Sequence, residues 1–138
     1  MQLYEIAERM KEILAEHFRT VVISTAQTTD QLLAVIRPVN LEKLPGVVIL
    51  FESAAFNNEN LVRNESLDLV LVDRFYADSE KRSVSLLKNY DGLLEIFPQK
   101  GVNIGSGSGP VWCYPVSTAA TPVDNEYFCI SLSLTVQH

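Results

Sequence analysis

The residue types that carry out covalent and acid–base chemistry are scarce in this chain, which has two histidines and two cysteines among 138 residues. Enzyme catalysis typically requires a nucleophile, a base and a group that orients the base, all within hydrogen-bond reach. Cys113 and His17 could meet in space, but neither lies in an activating context, such as a helix N-terminus for the thiol. His17 continues the apolar stripe of a predicted helix, and His138 is the last residue of the sequence. We therefore predict that the protein is not an enzyme and has no catalytic residues.

Metal binding is not indicated by the cysteines or the carboxylates. Cys113 and Cys129 are too widely spaced for a zinc site, and we interpret them as small, semi-buried strand residues. Asp73, Asp78 and Glu80 lie near the start of a predicted helix, where acidic side chains complement the helix dipole. The sequence therefore predicts no metal site.

The glycine-rich segment at residues 105–109 does not predict a cofactor site. A phosphate-binding loop follows a strand, precedes a helix and usually contains a lysine. This segment follows a predicted helix and leads into Pro110 and a strand. The neighbouring carboxylates Asp124 and Glu126 lie in a predicted turn. We therefore predict no cofactor.

Composition limits the partners and the location of the protein. The net charge is -6 and the eleven basic residues are dispersed, whereas a nucleic-acid-binding surface needs clustered Lys and Arg. No apolar run is long enough to cross a membrane, and the N-terminus begins with an acidic amphipathic pattern rather than that of a signal peptide. We expect a cytoplasmic protein with no membrane contact and no specific binding of nucleic acid. The nearest approach to a basic patch consists of Arg63, Arg74, Lys81, Arg82 and Lys88.

The most regular element is a strand at residues 127–137, in which apolar and small polar side chains alternate. Its apolar positions are Phe128, Ile130, Leu132, Leu134 and Val136. Because successive side chains point to opposite sides of a strand, one face of this strand is apolar and requires a cover. Two amphipathic helices, at residues 2–18 and 79–97, are predicted to supply it.

Other strands are predicted from runs of β-branched and aliphatic residues, at residues 20–24, 47–52, 67–75 and 111–116. Pro115 makes the last of these an edge strand, because proline cannot donate to a central ladder. Residues 28–36 are ambiguous between a helix and a strand, because their apolar run is too short to separate the two periods. These elements make a single domain, residues 1–138, with four to five strands and two main helices.

A protruding arm is predicted around residues 53–66. This segment is polar and rich in asparagine, yet it contains Phe56, Leu61 and Val62. Apolar side chains on a polar arm suit a segment that packs against a neighbouring subunit. A disordered connecting loop is the alternative.

A second irregular segment is the flexible Gly/Ser loop predicted around residues 99–110. The aromatic residues that follow it, Trp112 and Tyr114, could belong to the core or to a contact surface. The sequence leaves both readings of this aromatic pair open.

In its order of elements the chain resembles the tail terminator proteins of long-tailed bacteriophages and prophages, also called tail completion or head–tail joining proteins. The resemblance rests on the amphipathic helix at residues 6–18 and on the entry into a strand at residues 44–49. It rests also on the strand end at Asp73 with the helix at 79–97 after it, and on the closing strand at 127–132. These features cover most of the chain.

The resemblance implies an α+β fold in which helices pack on one face of a mostly antiparallel sheet. It also implies a homo-oligomeric ring, usually hexameric, that caps the tail tube and presents a surface to the head connector. Neither catalytic residues nor cofactors come with the resemblance. Such a protein would be found in the cytoplasm of the bacterial host during assembly and then in the tail or neck of the virion.

Two functional hypotheses stand side by side. In the first, the protein is a non-enzymatic tail terminator or neck component, and its oligomer interface includes Phe56, Leu61, Val62, Trp112 and Tyr114. In the second, it is a small-ligand-binding or regulatory domain with an apolar pocket near Trp112 and Tyr114.

Overall fold

The computed structural model describes residues 2–26, 28–39, 43–74, 79–107, 109–122 and 127–138. In this part of the chain the elements are α1 (Leu3–Ala15), β1 (Thr20–Ser24), α2 (Thr29–Ile36), β2 (Gly46–Asn57), β3 (Val62–Arg74), α3 (Ser79–Ile96), β4 (Val102–Asn103), β5 (Trp112–Pro122) and β6 (Tyr127–Gln137). Asp78, placed near the start of a predicted helix, and the predicted turn containing Asp124 and Glu126 lie outside the described residues.

The strands form one mixed sheet with the order β1-β2-β3-β6-β5-β4. β1 and β2 are parallel, and every other neighbouring pair is antiparallel. The predicted α+β class is confirmed and the sheet is mostly antiparallel, as predicted, but the prediction of four to five strands was wrong. The sheet has six strands, since β4 has only two residues and so shows no alternation in the sequence. It also contains a parallel pair, which requires a crossover connection.

The helices α1 and α3 pack on the same face of the sheet, as the prediction of two main helices on one face requires. Apolar residues recur every three or four positions in both helices, so each presents one stripe to the strands. The N-terminus of α1 is capped by the Glu5 carboxylate, whose Oε2 accepts a hydrogen bond from the Gln2 backbone N–H at 3.0 Å. The helical members of this core are Ile6, Met10, Leu14, Leu86 and Leu93.

The helix α2 covers the opposite face, which the prediction of helices on one face alone had missed. The ambiguous segment is helical and Thr28 caps it: the Thr28 Oγ1 accepts a hydrogen bond from the Gln31 backbone N–H at 3.2 Å. Leu32 and Ile36 then pack against the sheet in a second, smaller apolar cluster. The crossover β1-α2-β2 thus makes the parallel pair and buries this part of the sheet on both sides.

The longest strands, β2 and β3, form a hairpin in which pairing continues from Gly46 opposite Val72 to Asn57 opposite Val62. The segment around residues 53–66 is therefore paired β structure that closes in a turn at residues 58–61. Leu61 has a φ of 58° in this turn, and the Asn57 Oδ1 accepts a hydrogen bond from the Glu59 backbone N–H at 3.1 Å. A register shift between Phe51 and Ser53 separates this outer part of the hairpin from the part in the core.

The connection from α3 to β5 is held by the side chain of Asn103. Its Oδ1 accepts hydrogen bonds from the backbone N–H groups of Gly105 and Val111, at 2.9 and 3.0 Å. Gly101 has a φ of +88°, and the ring of Tyr114 lies where a Cβ of residue 101 would project. A glycine is required there by both the backbone conformation and the close approach of the ring.

Candidate assembly surface

The five residues predicted to form an oligomer interface all lie at the end of the sheet where β2 turns into β3. Phe56 pairs with Arg63, the Arg63 backbone exchanges hydrogen bonds of 2.8 and 2.9 Å with His138, and the adjoining Gln137 pairs with Trp112. We call this region the hairpin end, defined as residues 53–66 together with residues 112–114 and 137–138. The pairing of four strands, β2, β3, β6 and β5, thus connects segments that are far apart in sequence.

Several apolar side chains at the hairpin end are open to solvent. Phe56 is 65% exposed, Leu61 is 84% exposed and Trp112 is 39% exposed. Val62 and Tyr114 are half-buried. Exposed apolar side chains mark an interaction surface where they form a contiguous patch, so their arrangement matters.

These residues do not form one continuous patch, because they occupy both faces of the sheet. Phe56 pairs with Arg63 and lies on the face that α1 and α3 cover further along the hairpin. Trp112 and Tyr114 flank the core residue Cys113 and so lie on the opposite face, to which the strand alternation also assigns Val62. Leu61 lies in the turn between these faces. The hairpin end is therefore a two-sided projection.

The aromatic pair forms a small stack. The ring centroids of Trp112 and Tyr114 lie 6.3 Å apart with an angle of 21° between the ring planes. Tyr114 also packs over Gly101, so this member of the stack lies beside the connection that follows α3. Trp112 is accordingly the solvent-facing member of the pair.

A buried carboxylate that was not predicted from the sequence lies at the base of the hairpin end. Glu65 is 0% exposed, and its Oε1 accepts a hydrogen bond from the Arg63 Nη2 at 2.7 Å. The His138 Nε2 lies 2.8 Å from the same oxygen. The Glu65 Oε2 and the Arg63 Nε are buried without a hydrogen-bond partner in the described part of the chain.

This polar cluster connects the end of β6 to the exposed aromatic residue of the hairpin. The Arg63 guanidinium lies over the ring of Phe56, with its carbon 5.7 Å from the ring centroid. The contacts therefore run from His138 through Glu65 and Arg63 to Phe56. Because a buried carboxylate is costly unless it is paired, this arrangement fixes the orientation of the outer hairpin.

The strand pattern contained a signal for Glu65. Leu67, Leu69 and Leu71 mark every second residue of β3 as core-facing, and the same alternation extended backwards includes Glu65. Because residues 53–66 were assigned to an arm, Glu65 was not counted among the core-facing positions. A charged residue at a position where the alternation predicts a core-facing side chain indicates a buried polar contact.

The structure does not unite the two residues considered for nucleophilic chemistry. Cys113 is fully buried on β5, and this burial raises the pKa of its thiol from 9.0 to about 12. His17 is exposed at a groove of about 430 Å³ between the ends of α1 and α3, and no hydrogen bond joins it to Cys113. The Cys113 thiol is therefore protonated at neutral pH and inaccessible to a substrate.

Residues that could hold a metal ion are not clustered in the described ranges, where no group of three or more His, Cys, Asp or Glu residues comes together. Asp73 is buried, and its Oδ1 accepts a hydrogen bond from the Arg74 backbone N–H at 2.8 Å. Arg63, one of the residues of the possible basic patch, forms an ion pair with Glu65. Among the described helices, none combines the length and the apolar character needed to span a membrane.

A groove of about 490 Å³ lies where α2 begins, against the face of the sheet that α2 only partly covers. Its wall combines apolar Leu32 and Leu50 with polar Thr28 and Asp68. Asp68 accepts a hydrogen bond from the Ser133 hydroxyl at 2.7 Å. Neither Trp112 nor Tyr114 contributes to this groove, so it differs in position from the predicted pocket.

The comparisons with known proteins add no family to these observations. No protein-family model matches the chain, and no curated protein sequence matches it at a significant level.

Proposed function

We propose that the protein is a non-enzymatic structural subunit that acts by self-assembly, as a tail terminator or neck component of a long-tailed bacteriophage or prophage. The observation that carries this proposal is the hairpin end, where Phe56, Leu61 and Trp112 are exposed on paired backbone. The element order and the resemblance stated from the sequence supply the identity of the assembly.

The chemistry of the hairpin end is that of a protein contact. Interfaces between proteins are enriched in aromatic residues and arginine, and the exposed surface here presents Phe56 stacked on Arg63 and, on the other face, Trp112. The ion pair of the partly exposed Arg63 with the buried Glu65 holds the outer hairpin in one geometry before binding. A surface that is already ordered loses less conformational entropy when it is covered.

The proposed partners are other copies of this chain in a hexameric ring, together with tail tube and head-connector proteins. The ring would form in the cytoplasm of the bacterial host and remain in the virion. The net charge of -6 suits a component through which DNA passes, because clustered Lys and Arg would retain the DNA. A strongly basic channel in an assembled ring would contradict this proposal.

The test is the solution mass of the protein, measured by light scattering over a concentration series. We expect a species near the mass of six subunits, or one that grows towards it with concentration.

Phe56→Asp should shift the assembly midpoint at least tenfold in concentration without lowering the melting temperature, because a buried charge at the contact is costly. Leu87→Asp is the matched control, since Leu87 is an exposed apolar residue on α3, away from the hairpin end. Unchanged assembly of Phe56→Asp would contradict the role of the hairpin end.

The alternative of a small-ligand-binding or regulatory domain is favoured by one observation, the groove beside α2. If this alternative holds, a compound that fits the groove should raise the melting temperature of the wild type. Leu50→Trp, which fills the groove, should abolish the shift. A monomer at every concentration, combined with such a shift, would favour this alternative over self-assembly.

A further inference from the structure

The outer side of β5 is an open sheet edge. β5 pairs with β6 along its whole length, from Trp112 opposite Gln137 to Pro122 opposite Phe128. On its other side, β4 pairs only with Trp112 and Cys113. In the described part of the chain, the rest of β5 therefore has a strand neighbour on one side only, and residues 116–120 are exposed.

This edge lacks the charged residues that normally prevent edge strands from pairing with other chains. No Asp, Glu, Lys or Arg occurs between Lys100 and Asp124, although 20% of the chain is charged. Pro115 and Pro122 limit pairing at the two ends, and a register shift lies between Pro115 and Ser117. Between the prolines, the strand offers uncharged backbone of the kind that templates pairing with an added strand.

The opposite edge of the sheet has matching properties. β1 contains no charged residue and exposes 38% of the Ile23 side chain, and among the described strands it pairs only with β2. Because β1 spans residues 20–24 and β2 continues to residue 57, β1 borders only the first part of β2. Within the described residues, each edge thus offers a short, uncharged run of backbone with a strand neighbour on one side only.

The two edges also lie level with each other across the sheet. Ile23 pairs with Ile49, Ile49 with Leu69, Leu69 with Leu132, and Leu132 with Thr118, in one continuous row. Successive rows place Ser24 level with Ser117 and Thr20 level with Thr121 in the same way. A second copy placed beside the first, without displacement along the strands, would therefore bring its β1 next to the open part of β5.

The strand directions fit this arrangement. β1 is parallel to β2, and three antiparallel steps through β3 and β6 lead to β5, so β5 is antiparallel to β1. Copies with the same orientation would then make an antiparallel junction, with their apolar faces on the same side.

We propose that residues 117–121 of β5 pair with β1 of a second copy of this chain, so that the sheet continues from subunit to subunit. The proposal rests on the self-assembly proposed above and assigns the surfaces that meet.

Pairs of engineered cysteines test the junction directly. Ile23 and Thr118 lie on the face of the sheet covered by α1 and α3, as does Ala120, whereas Ala119 lies on the opposite face. Cα atoms of opposed antiparallel residues lie about 4.5–5.5 Å apart, within the range that a disulfide spans. The native Cys113 and Cys129 are fully buried, so they should not compete under mild oxidation.

The experiment mixes a chain carrying Ile23→Cys with a chain carrying Thr118→Cys at an assembling concentration, and oxidises the mixture. We expect a covalent dimer from the mixture and none from either chain alone. Ala120→Cys in place of Thr118→Cys tests a register displaced by two residues. Ala119→Cys is the matched control and should not cross-link to Ile23→Cys, because its side chain points to the other face. A single chain carrying both Ile23→Cys and Thr118→Cys should give a ladder of covalent oligomers.

Light scattering on the same samples separates failure of this inference from failure of the proposed function. An oligomer without cross-linking from either matched pair would overturn the edge pairing while retaining self-assembly. Cross-linking of Thr118→Cys or Ala120→Cys to itself would instead show two-fold pairing of β5 with β5 and overturn the head-to-tail junction. A monomer at every concentration, with no cross-link, would overturn both.

Discussion

The inner and outer parts of the β2–β3 hairpin have the same backbone pairing but different surroundings. In the inner part, Val47, Ile49, Leu69 and Leu71 lie in the apolar core beneath α1 and α3, and α2 covers the other face. In the outer part, every residue of β2 after Leu50 is exposed. The inner part is therefore buried between two layers of helices, whereas solvent reaches the outer part from both sides.

This difference shows which forces hold each part in place. The inner part is stabilised by removal of apolar surface from water, which is proportional to area and has no preferred direction. The outer part has little buried apolar area and depends on the ladder and on the directed contacts of Glu65 with Arg63 and His138. A segment held in this way keeps its geometry while leaving its apolar side chains available to a partner.

The largest effect on the free energy of unfolding is expected for a leucine of the inner part, which we compare with a leucine of the outer part. Leu69→Ala should lower the free energy of unfolding by about 3 kcal/mol, because it removes buried methyl groups and leaves a cavity. Leu61→Ala, at a position 84% exposed, should change that free energy by less than about 0.5 kcal/mol. Urea denaturation of both variants measures the two values. Equal costs would show that the two parts of the hairpin do not differ as described.

A smaller effect on the free energy of unfolding is expected at Glu65, at the boundary between the inner and outer parts of the hairpin. Glu65→Ala should cost about 2 kcal/mol, since it leaves the buried His138 ring and the guanidinium of Arg63 without their acceptor. The ion pair with Arg63 contributes only a small part of this loss in free energy of unfolding, because the Arg63 side chain is 36% exposed and solvent screens the pair. A double-mutant cycle of Glu65→Ala with His138→Ala should give a coupling free energy of about 1 kcal/mol. Additive effects of the two substitutions would refute the contact as a source of rigidity.

The inner part of the fold could be predicted from the sequence, and the outer part only in outline. Strong alternation in β6 and the helical spacing in α1 arise from burial against one surface, and burial is what hydrophobic periodicity records. The strand β4 and the side-chain clamp of Asn103 have no periodic pattern, because two residues and one amide suffice to form them. The parallel pairing of β1 depends on α2 being a helix, and the short apolar run of that segment did not separate a helix from a strand.

The candidate site illustrates the same limit. Phe56 and Leu61 could be singled out because apolar residues in a polar segment are conspicuous. The cluster of Arg63, Glu65 and His138 could not, because it joins two segments that meet only through the register of β3 with β6. Which strand neighbours which is a property of the whole sheet and not of either segment.

An effect confined to alkaline pH concerns Cys113, which lies in the same row of the sheet as Glu65, with Val136 between them. Both groups are fully buried, but the thiol is surrounded by apolar side chains, and this burial raises its pKa to about 12. In the unfolded chain the thiol ionises near 9.0, so unfolding releases a proton between about pH 9 and 12. The stabilisation is therefore complete below pH 9 and decreases as the pH rises, by up to about 1.4 kcal/mol per pH unit.

Urea denaturation between pH 8 and 10.5 should show a shallower decrease for Cys113→Ala than for the wild type, whereas the exposed-site control Ser117→Ala should keep the wild-type slope. Identical slopes for all three proteins would place the Cys113 thiol in contact with water and outside the buried part of the sheet.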